Sequence, residues 1–504
     1  MEIKDQIKEM VNSGFSVFYV YTEDEVSVER QLTMMAEERE AGIGRWTVLG
    51  DNPLDDFLGA EFPNNFFVIC INPHLNLDSP GVMQTIKDQA DKWKATDIHV
   101  FLLCNDKKIP PEVNRNLTYI EWGLPDKDEL GDKLEFVRES ALDELPDLPV
   151  FDNGEKTALV KAALGLTSQQ AEDAFALSLI QNQAFVPNVV TRIKANEYLK
   201  AGLMELEEPK PFESFKGYTE LQEYMVQSKS AFYQESKYGL SPPKGILLTG
   251  VPGVGKTLAS QAIASMFGLM LLKVDLGKLF GELVGQTESK TRQLIAIAER
   301  MAPIVLRFDE IEKQMGGMGV SSGDSGVSSR ILASLLTWMQ ERTAPVYTIM
   351  TANDVSRLRP EMLRKGRIDE IFFLDLPDKQ ERSDIFEYHL ELRVPEVNWS
   401  GYVNDLNEAH NKTKGWSGAE IEQVVIQTLR RAERSDIHIS EDLQFFILDL
   451  INEIYKTVPL SVIRREDIDA IRKWAVDNNA RLASKNEIIE KAQIETRRKL
   501  SISK

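Results

Sequence analysis

Eight consecutive residues, Gly250-Val251-Pro252-Gly253-Val254-Gly255-Lys256-Thr257, fit the pattern G-x-x-x-x-G-K-[ST]. Glycines at these positions let successive backbone N–H groups turn inward, and a following helix adds its positive dipole end, so the segment can cradle phosphates. Lys256 is placed to reach the β- and γ-phosphate oxygens, and the Thr257 hydroxyl to ligate Mg²⁺. A second element, this one acidic, comes about fifty residues later, where Ile304-Val305-Leu306-Arg307-Phe308 runs into Asp309-Glu310. An acidic pair at a strand end is common, but behind a phosphate cradle it has a defined use. Asp309 serves the metal, and Glu310 polarises an attacking water as general base. Arg307 is the odd residue of that run, because a strand covered on both faces rarely accepts an unpaired charge. Either it reaches the sheet rim or it pairs with a carboxylate that the sequence does not identify. Asn353 follows the next apolar run and offers a neutral amide to orient the water, though a turn-capping role fits it equally. Arg364 and Arg367 lie in Leu363-Arg364-Lys365-Gly366-Arg367; a guanidinium suits the spread charge of a γ-phosphate, and a solvated basic loop is the alternative.

These residues need strands and helices to hold them. Gly245 to Leu248 leads into the cradle as an apolar run, and Leu258 to Phe267 continues from it as a helix. Strand candidates are Ile246 to Leu248, Met270 to Val274, Ile304 to Phe308, Val346 to Met350 and Ile371 to Leu374. The first half repeats the scheme with Val17 to Tyr21, Trp46 to Leu49, Phe66 to Asn72, His99 to Cys104 and Thr118 to Trp122. Strand–helix alternation of this kind predicts a parallel sheet flanked by helices. Asp126 to Gln183 reads as helical, Glu205 to Phe215 as a Glu- and Pro-rich linker, and helices dominate again after Asp378.

The halves also match in order. Cys104-Asn105-Asp106 parallels Ala352-Asn353-Asp354, Pro111-Glu112 with Arg115 parallels Pro360-Glu361 with Arg364, and Leu124-Pro125-Asp126-Lys127 parallels Leu376-Pro377-Asp378-Lys379. A degenerate duplication is the expectation. The first half lacks the chemistry: after its first strand come Thr22-Glu23-Asp24-Glu25, where a phosphate would meet carboxylates.

Composition narrows the function. A net charge of −20 with no long basic run argues against nucleic acid or an anionic membrane as the main partner. Cys70 and Cys104 each end an apolar run and are expected as buried thiols, and the five histidines are scattered without metal-ligand spacing. The start Met1-Glu2-Ile3-Lys4-Asp5 does not read as a signal peptide. The apolar helix near Leu443 to Tyr455 carries Asp449 and Glu453 and is too short to span a bilayer.

From about Phe212 to Ser484, and more weakly in the first half, the chain resembles the AAA ATPase family of the AAA+ superfamily. The likeness is greatest to the AAA proteins of plastid and cyanobacterial conserved open reading frames. It rests on Phe308-Asp309-Glu310-Ile311-Glu312-Lys313, Ser321-Ser322-Gly323-Asp324-Ser325-Gly326, Leu336-Thr337-Trp338-Met339-Gln340-Glu341, and Leu363 to Arg367 running to Phe372-Phe373-Leu374-Asp375-Leu376-Pro377. The resemblance implies a P-loop AAA+ module with a helical lid, preceded by a degenerate AAA-like α/β domain. The expected divisions are 1–125 and 126–195 for that domain and its helical segment, 196–215 for a linker, 216–377 for the ATPase core, 378–484 for the lid and 485–504 for a tail. It implies ATP and Mg²⁺ as ligands, with Leu258 completing the cradle, Asn353 as the sensor residue, and Arg364 and Arg367 as arginine fingers acting across a subunit interface. Lys216 and Gly217 fall where the family's linker touches adenine; His389, Gly418 and Ala419 fall where its lid closes over base and ribose.

A homo-oligomeric, typically hexameric ring that remodels a protein partner is therefore implied, in the cytoplasm or a plastid stroma. The alternatives are a nucleic-acid-associated loader and a slow ATP-switched scaffold. By the same resemblance the pore loop falls on Leu283 and Val284, with Leu283 in the place of the family's frequent aromatic residue and Phe280 nearby, which makes processive threading less secure. The loop Gly316 to Gly326 is expected to be flexible from its Ser and Gly content.

Overall fold

The computed structural model describes residues 3–485, apart from 51, 147, 149, 234–236, 281–285, 316–324, 356, 357, 359, 365, 403–405 and 436–437, together with residue 493. The chain divides into two compact units, 1–197 and 198–504. Among the described residues no helix is long and apolar enough to cross a membrane.

The first unit is built on β1 (Val17–Tyr21), β2 (Gly42–Thr47), β3 (Phe66–Ile71), β4 (Ile98–Cys104) and β5 (Thr118–Glu121). They pair in parallel in the order β2-β3-β4-β1-β5. Every residue of β4 is buried, as expected for a central strand of a sheet covered on both faces. The thiols of Cys70 and Cys104 are buried and free. The second strand was expected at Trp46 to Leu49; the ladder instead starts earlier, because Gly42 to Thr47 is the stretch that registers with Phe66 to Ile71. The helices Lys127–Ala141, Asn153–Ala163, Ser168–Asn182 and Pro187–Leu199 follow, and the match of Leu124 to Lys127 with Leu376 to Lys379 has a physical meaning. Asp126 caps its helix in a reciprocal box with Glu129, and Asp378 does the same with Glu381.

The second unit contributes β6 (Met204–Glu207), β7 (Gly245–Gly250), β8 (Leu271–Val274), β9 (Ile304–Phe308), β10 (Val346–Ala352), β11 (Glu370–Leu374) and β12 (Arg481–Leu482). Their order is β12-β11-β7-β10-β9-β8-β6. Stripped of its two edges this is β11-β7-β10-β9-β8, and the first sheet read from its other side is β5-β1-β4-β3-β2. In each unit the first strand sits between the fourth and the fifth. The strand order thus repeats along with the short sequence matches.

Both added edges revise the expected divisions. The stretch 196–215 was expected to be a linker, yet Met204–Glu207 pairs antiparallel with β8, and the helix Pro187–Leu199 runs across the 195/196 boundary. Alternation of apolar and acidic residues in Met204-Glu205-Leu206-Glu207 suits an edge strand, with Met204 buried and Glu205 exposed. At the other end, the segment expected to be wholly lid returns to the core sheet, where Arg481 and Leu482 pair with Phe372 and Phe373. The tail beyond it is not all separate either, since the Gln493 amide donates to the carbonyls of Ala475 and Ala480. The expected flexible loop Gly316 to Gly326 lies largely outside the described residues, but its last two residues open the helix Ser325–Glu341.

Candidate nucleotide site

Strand β7 delivers the chain to the cradle and the helix Lys256–Phe267 leaves from it. Gly250 has φ +142°, and a Cβ there would lie 2.0 Å from the carbonyl oxygen of Leu374 on β11. Only glycine permits that approach. The cradle opens into a cavity of about 540 Å³ lined by Pro252 to Leu258, Asp309, Glu310 and Asn353 on one side. Lys216, Tyr388, His389, Gly418 and Ala419 line the other. That volume lies within the range of small-molecule sites, roughly 300–1,000 Å³. Of the expected contact residues, Gly217, Gly250 and Val251 do not line it. Gly217 instead supports the turn, its carbonyl accepting from the Gln222 amide at 2.7 Å.

Lys256 is buried and donates to the carbonyls of Gly250 at 2.9 Å and Val251 at 3.0 Å. Burial pushes its ammonium down to about 8, opposed by the carboxylates of Glu312, Glu310 and Asp309. A polyanion entering the cavity supplies the charge that this buried cation lacks.

Beside the cradle the acidic pair is held by β10. The Thr351 hydroxyl donates to Asp309 Oδ1 at 2.6 Å and accepts from the Glu310 backbone N–H at 3.0 Å. Glu310 Oε1 accepts from the Asn353 amide at 3.0 Å, and Lys313 Nζ lies 2.6 Å from its Oε2. The Asn353 backbone N–H donates to Glu312 Oε1 at 3.0 Å. Glu310 has φ +47°, a conformation uncommon for a residue with a side chain and costing on the order of 1–3 kcal/mol. The bond from its N–H to Thr351 holds it there. The exposed Thr257 hydroxyl and the Asp309 carboxylate face one cavity. Both are hard oxygen donors, and this donor set fits Mg²⁺, which keeps several waters and takes few protein ligands.

The lid meets the cradle directly: the Ala419 N–H donates to the Gly253 carbonyl at 3.2 Å. Ser417 caps the helix Gly418–Arg434 in a reciprocal box with Glu420. Burial holds His389 below the usual imidazole value, against the pull of Glu422; the ring lines the cavity with its Nδ1 accepting from the Arg393 guanidinium at 3.0 Å. Lys216 Nζ lies 5.9 Å from the Tyr388 ring centroid.

Sequence reasoning missed Thr351, Tyr218 and Glu381. The Tyr218 hydroxyl donates to the carbonyl of Val254 at 2.9 Å, and its N–H donates to Glu381 Oε1 at 2.9 Å. Glu381 thereby joins the segment before the cradle to the first lid helix. Thr351 had a readable signal, lying two residues before Asn353; Tyr218 and Glu381 meet across 163 residues and had none. Arg364 is exposed, Arg367 is half-buried, and neither lines this chain's cavity. The Arg367 guanidinium donates to the Glu361 carbonyl. Leu283 and Val284 lie outside the described residues.

Comparison with known proteins follows the same division of the chain. Residues 246–376 match the ATPase family associated with various cellular activities (AAA), and residues 137–196 match the second domain of SpoVK-like AAA ATPases. The AAA domain-containing protein ycf46 of Guillardia theta is 30% identical over 96% of both chains. That of Pyropia yezoensis is 35% identical over 86% of both. A cell division cycle protein 48 homologue of Archaeoglobus fulgidus is 35% identical over 37% of this chain and 25% of its own length. By these matches, and by the parallel sheet and cradle that they cover, this chain belongs to the AAA ATPase family, among the ycf46-type AAA domain-containing proteins.

Proposed function

We propose that the chain is a Mg²⁺-dependent ATPase that works as a homo-oligomeric ring and uses hydrolysis to remodel a protein partner. The observation that carries the reading is the single cavity in which the cradle, Asp309, Glu310, Asn353 and the lid converge. Gly253 to Leu258 bind the triphosphate through backbone N–H groups and the Lys256 ammonium, while Lys216, His389, Gly418 and Ala419 bound the adenine and ribose. Thr257 and Asp309 would hold a magnesium ion, which would supply neutralisation of the phosphoryl charge. Glu310 takes the proton of the attacking water, and Asn353, bonded to Glu310, keeps that carboxylate aimed. Arg364 and Arg367 act on the site of a neighbouring subunit, a reading supported by their position away from this chain's own cavity. The first unit, with its related sheet and no cradle, serves as the docking or regulatory platform, in the cytoplasm or a plastid stroma.

The site's shape supports the first step of this reading and the net charge of −20 favours a protein over a nucleic acid as partner. Glu310→Gln tests it. The variant should bind ATP, accumulate as a larger assembly in light scattering, and turn over about 10²–10⁴ times more slowly. A Glu310→Gln protein that stays monomeric with unchanged hydrolysis would sink the proposal.

A further inference from the structure

Arg307, a charge inside strand β9, stands between two carboxylates in a short chain of ions. Its side chain is 2% exposed. Nη2 donates to Glu207 Oε1 on β6 at 2.9 Å and to Asp309 Oδ2 at 3.2 Å. Nη1 lies 2.7 Å from Glu207 Oε2, a contact too oblique for a hydrogen bond. Positions 305, 307 and 309 share one face of the strand by its two-residue alternation, so the guanidinium points along the face that ends at Asp309.

We infer that Glu207, acting through Arg307, is a positioning residue for the metal-side carboxylate Asp309, and that the first strand after residue 197 is thereby part of the nucleotide site. This rests on the proposed role of Asp309. A cation within hydrogen-bond distance of a carboxylate competes with any metal that the carboxylate serves. Glu207 offsets that competition. Glu207, Arg307 and Asp309 together present one net negative charge to the metal side of the cavity. Without Glu207, Arg307 and Asp309 sum to zero, and the guanidinium is free to close fully on Asp309. Without both Glu207 and Arg307 the net negative charge returns. The register of β6 on β8 fixes where Glu207 sits, so any shift of this strand is transmitted to Asp309 through two side chains.

The experiment measures binding of a fluorescent ADP analogue to the full chain, once with magnesium and once with EDTA. The ratio of the two affinities reports the metal's contribution without turnover. Glu207→Gln should cut that ratio about tenfold and leave the affinity in EDTA unchanged. Glu207→Asp, which keeps the charge, should stay within about twofold of the parent, and Glu207→Gln combined with Arg307→Met should recover the ratio. Thermal melting identifies any variant that is unfolded. The inference is overturned if Glu207→Gln leaves the ratio unaltered, or if Glu207→Asp loses as much as Glu207→Gln. If Glu310→Gln behaves as proposed while these ratios do not move, the relay alone is wrong.

Discussion

Thr351 shows how much a single hydroxyl can hold at this site. It satisfies Asp309 Oδ1 and the Glu310 N–H at once, and the second bond maintains a backbone conformation that Glu310 would otherwise leave. Thr351→Val keeps the shape of the side chain and removes both bonds. The expected loss of stability is about 1–3 kcal/mol, because a part-buried donor and a charged acceptor lose their shared partner. Turnover should fall further than this predicts, since Glu310 is released from its strained pose, while nucleotide affinity stays near the parent value. Urea denaturation and steady-state hydrolysis on the same preparation separate the two effects. Equal losses in affinity and turnover would place Thr351 in general packing rather than in the aim of Glu310.

At the scale of elements, the cradle and the lid meet at one glycine. A Cβ on Gly253, whose φ is +81°, would stand 2.9 Å from Ser417 Oγ and 3.6 Å from Ala419 Cβ. Gly253→Ala should therefore weaken nucleotide binding about tenfold, through both the left-handed backbone and the displaced lid. Ser417→Gly in the same protein should recover part of it by removing the clash, at the cost of the helix cap; fluorescence titration reads both. No recovery would assign the whole effect to the backbone.

The lid carries its own pH dependence. His410 is buried, and desolvation together with the neighbouring Lys379 and Arg382 cations holds its imidazole down to about 4. An unfolded histidine titrates near 6.5, so between about pH 6.5 and 4 the unfolded chain binds the extra proton. Stability then falls as the pH is lowered through that window. His410→Gln should flatten the melting temperature across the same range relative to the parent; parallel curves would show that His410 does not contribute.

At the scale of the whole molecule the question is whether one chain holds a complete site. Glu310 and Asn353 stand in the cavity of their own chain, while Arg364 is exposed away from it. Arg364→Ala and Glu310→Gln proteins should each be nearly inactive alone. Mixed in co-assembled rings, they should recover part of the hydrolysis, because an intact Glu310 then meets an intact Arg364 from the neighbour. No recovery in verified mixed assemblies would leave the cradle assignment standing and remove the shared site. The first unit can be weighed in the same terms. Where a cradle would lie, Asp24 caps the helix Glu25–Glu38, accepting from Ser27 N–H at 3.3 Å, and also takes the Ser168 N–H at 2.6 Å. The helix N-terminus that could have met a phosphate is already met by the chain's own carboxylate, so this unit should bind no nucleotide; equilibrium dialysis with the Lys256→Ala protein checks that.

The local order of residues determined the cradle, the acidic pair, Asn353 and most of the strands, because those features depend on neighbours in sequence: glycine freedom, apolar runs and turn chemistry. It also carried two matching helix starts, since Leu-Pro-Asp-Lys leads into a reciprocal capping box in both units. Three-dimensional pairing alone decided the two edge strands. Met204–Glu207 and Arg481–Leu482 are too short to declare themselves and become strands only where β8 and β11 offer unpaired backbone groups. It alone decided the partners of Arg307 as well. A buried charge announces that it must be paired, but the carboxylate that pairs it came from a strand 100 residues away, brought there by the sheet.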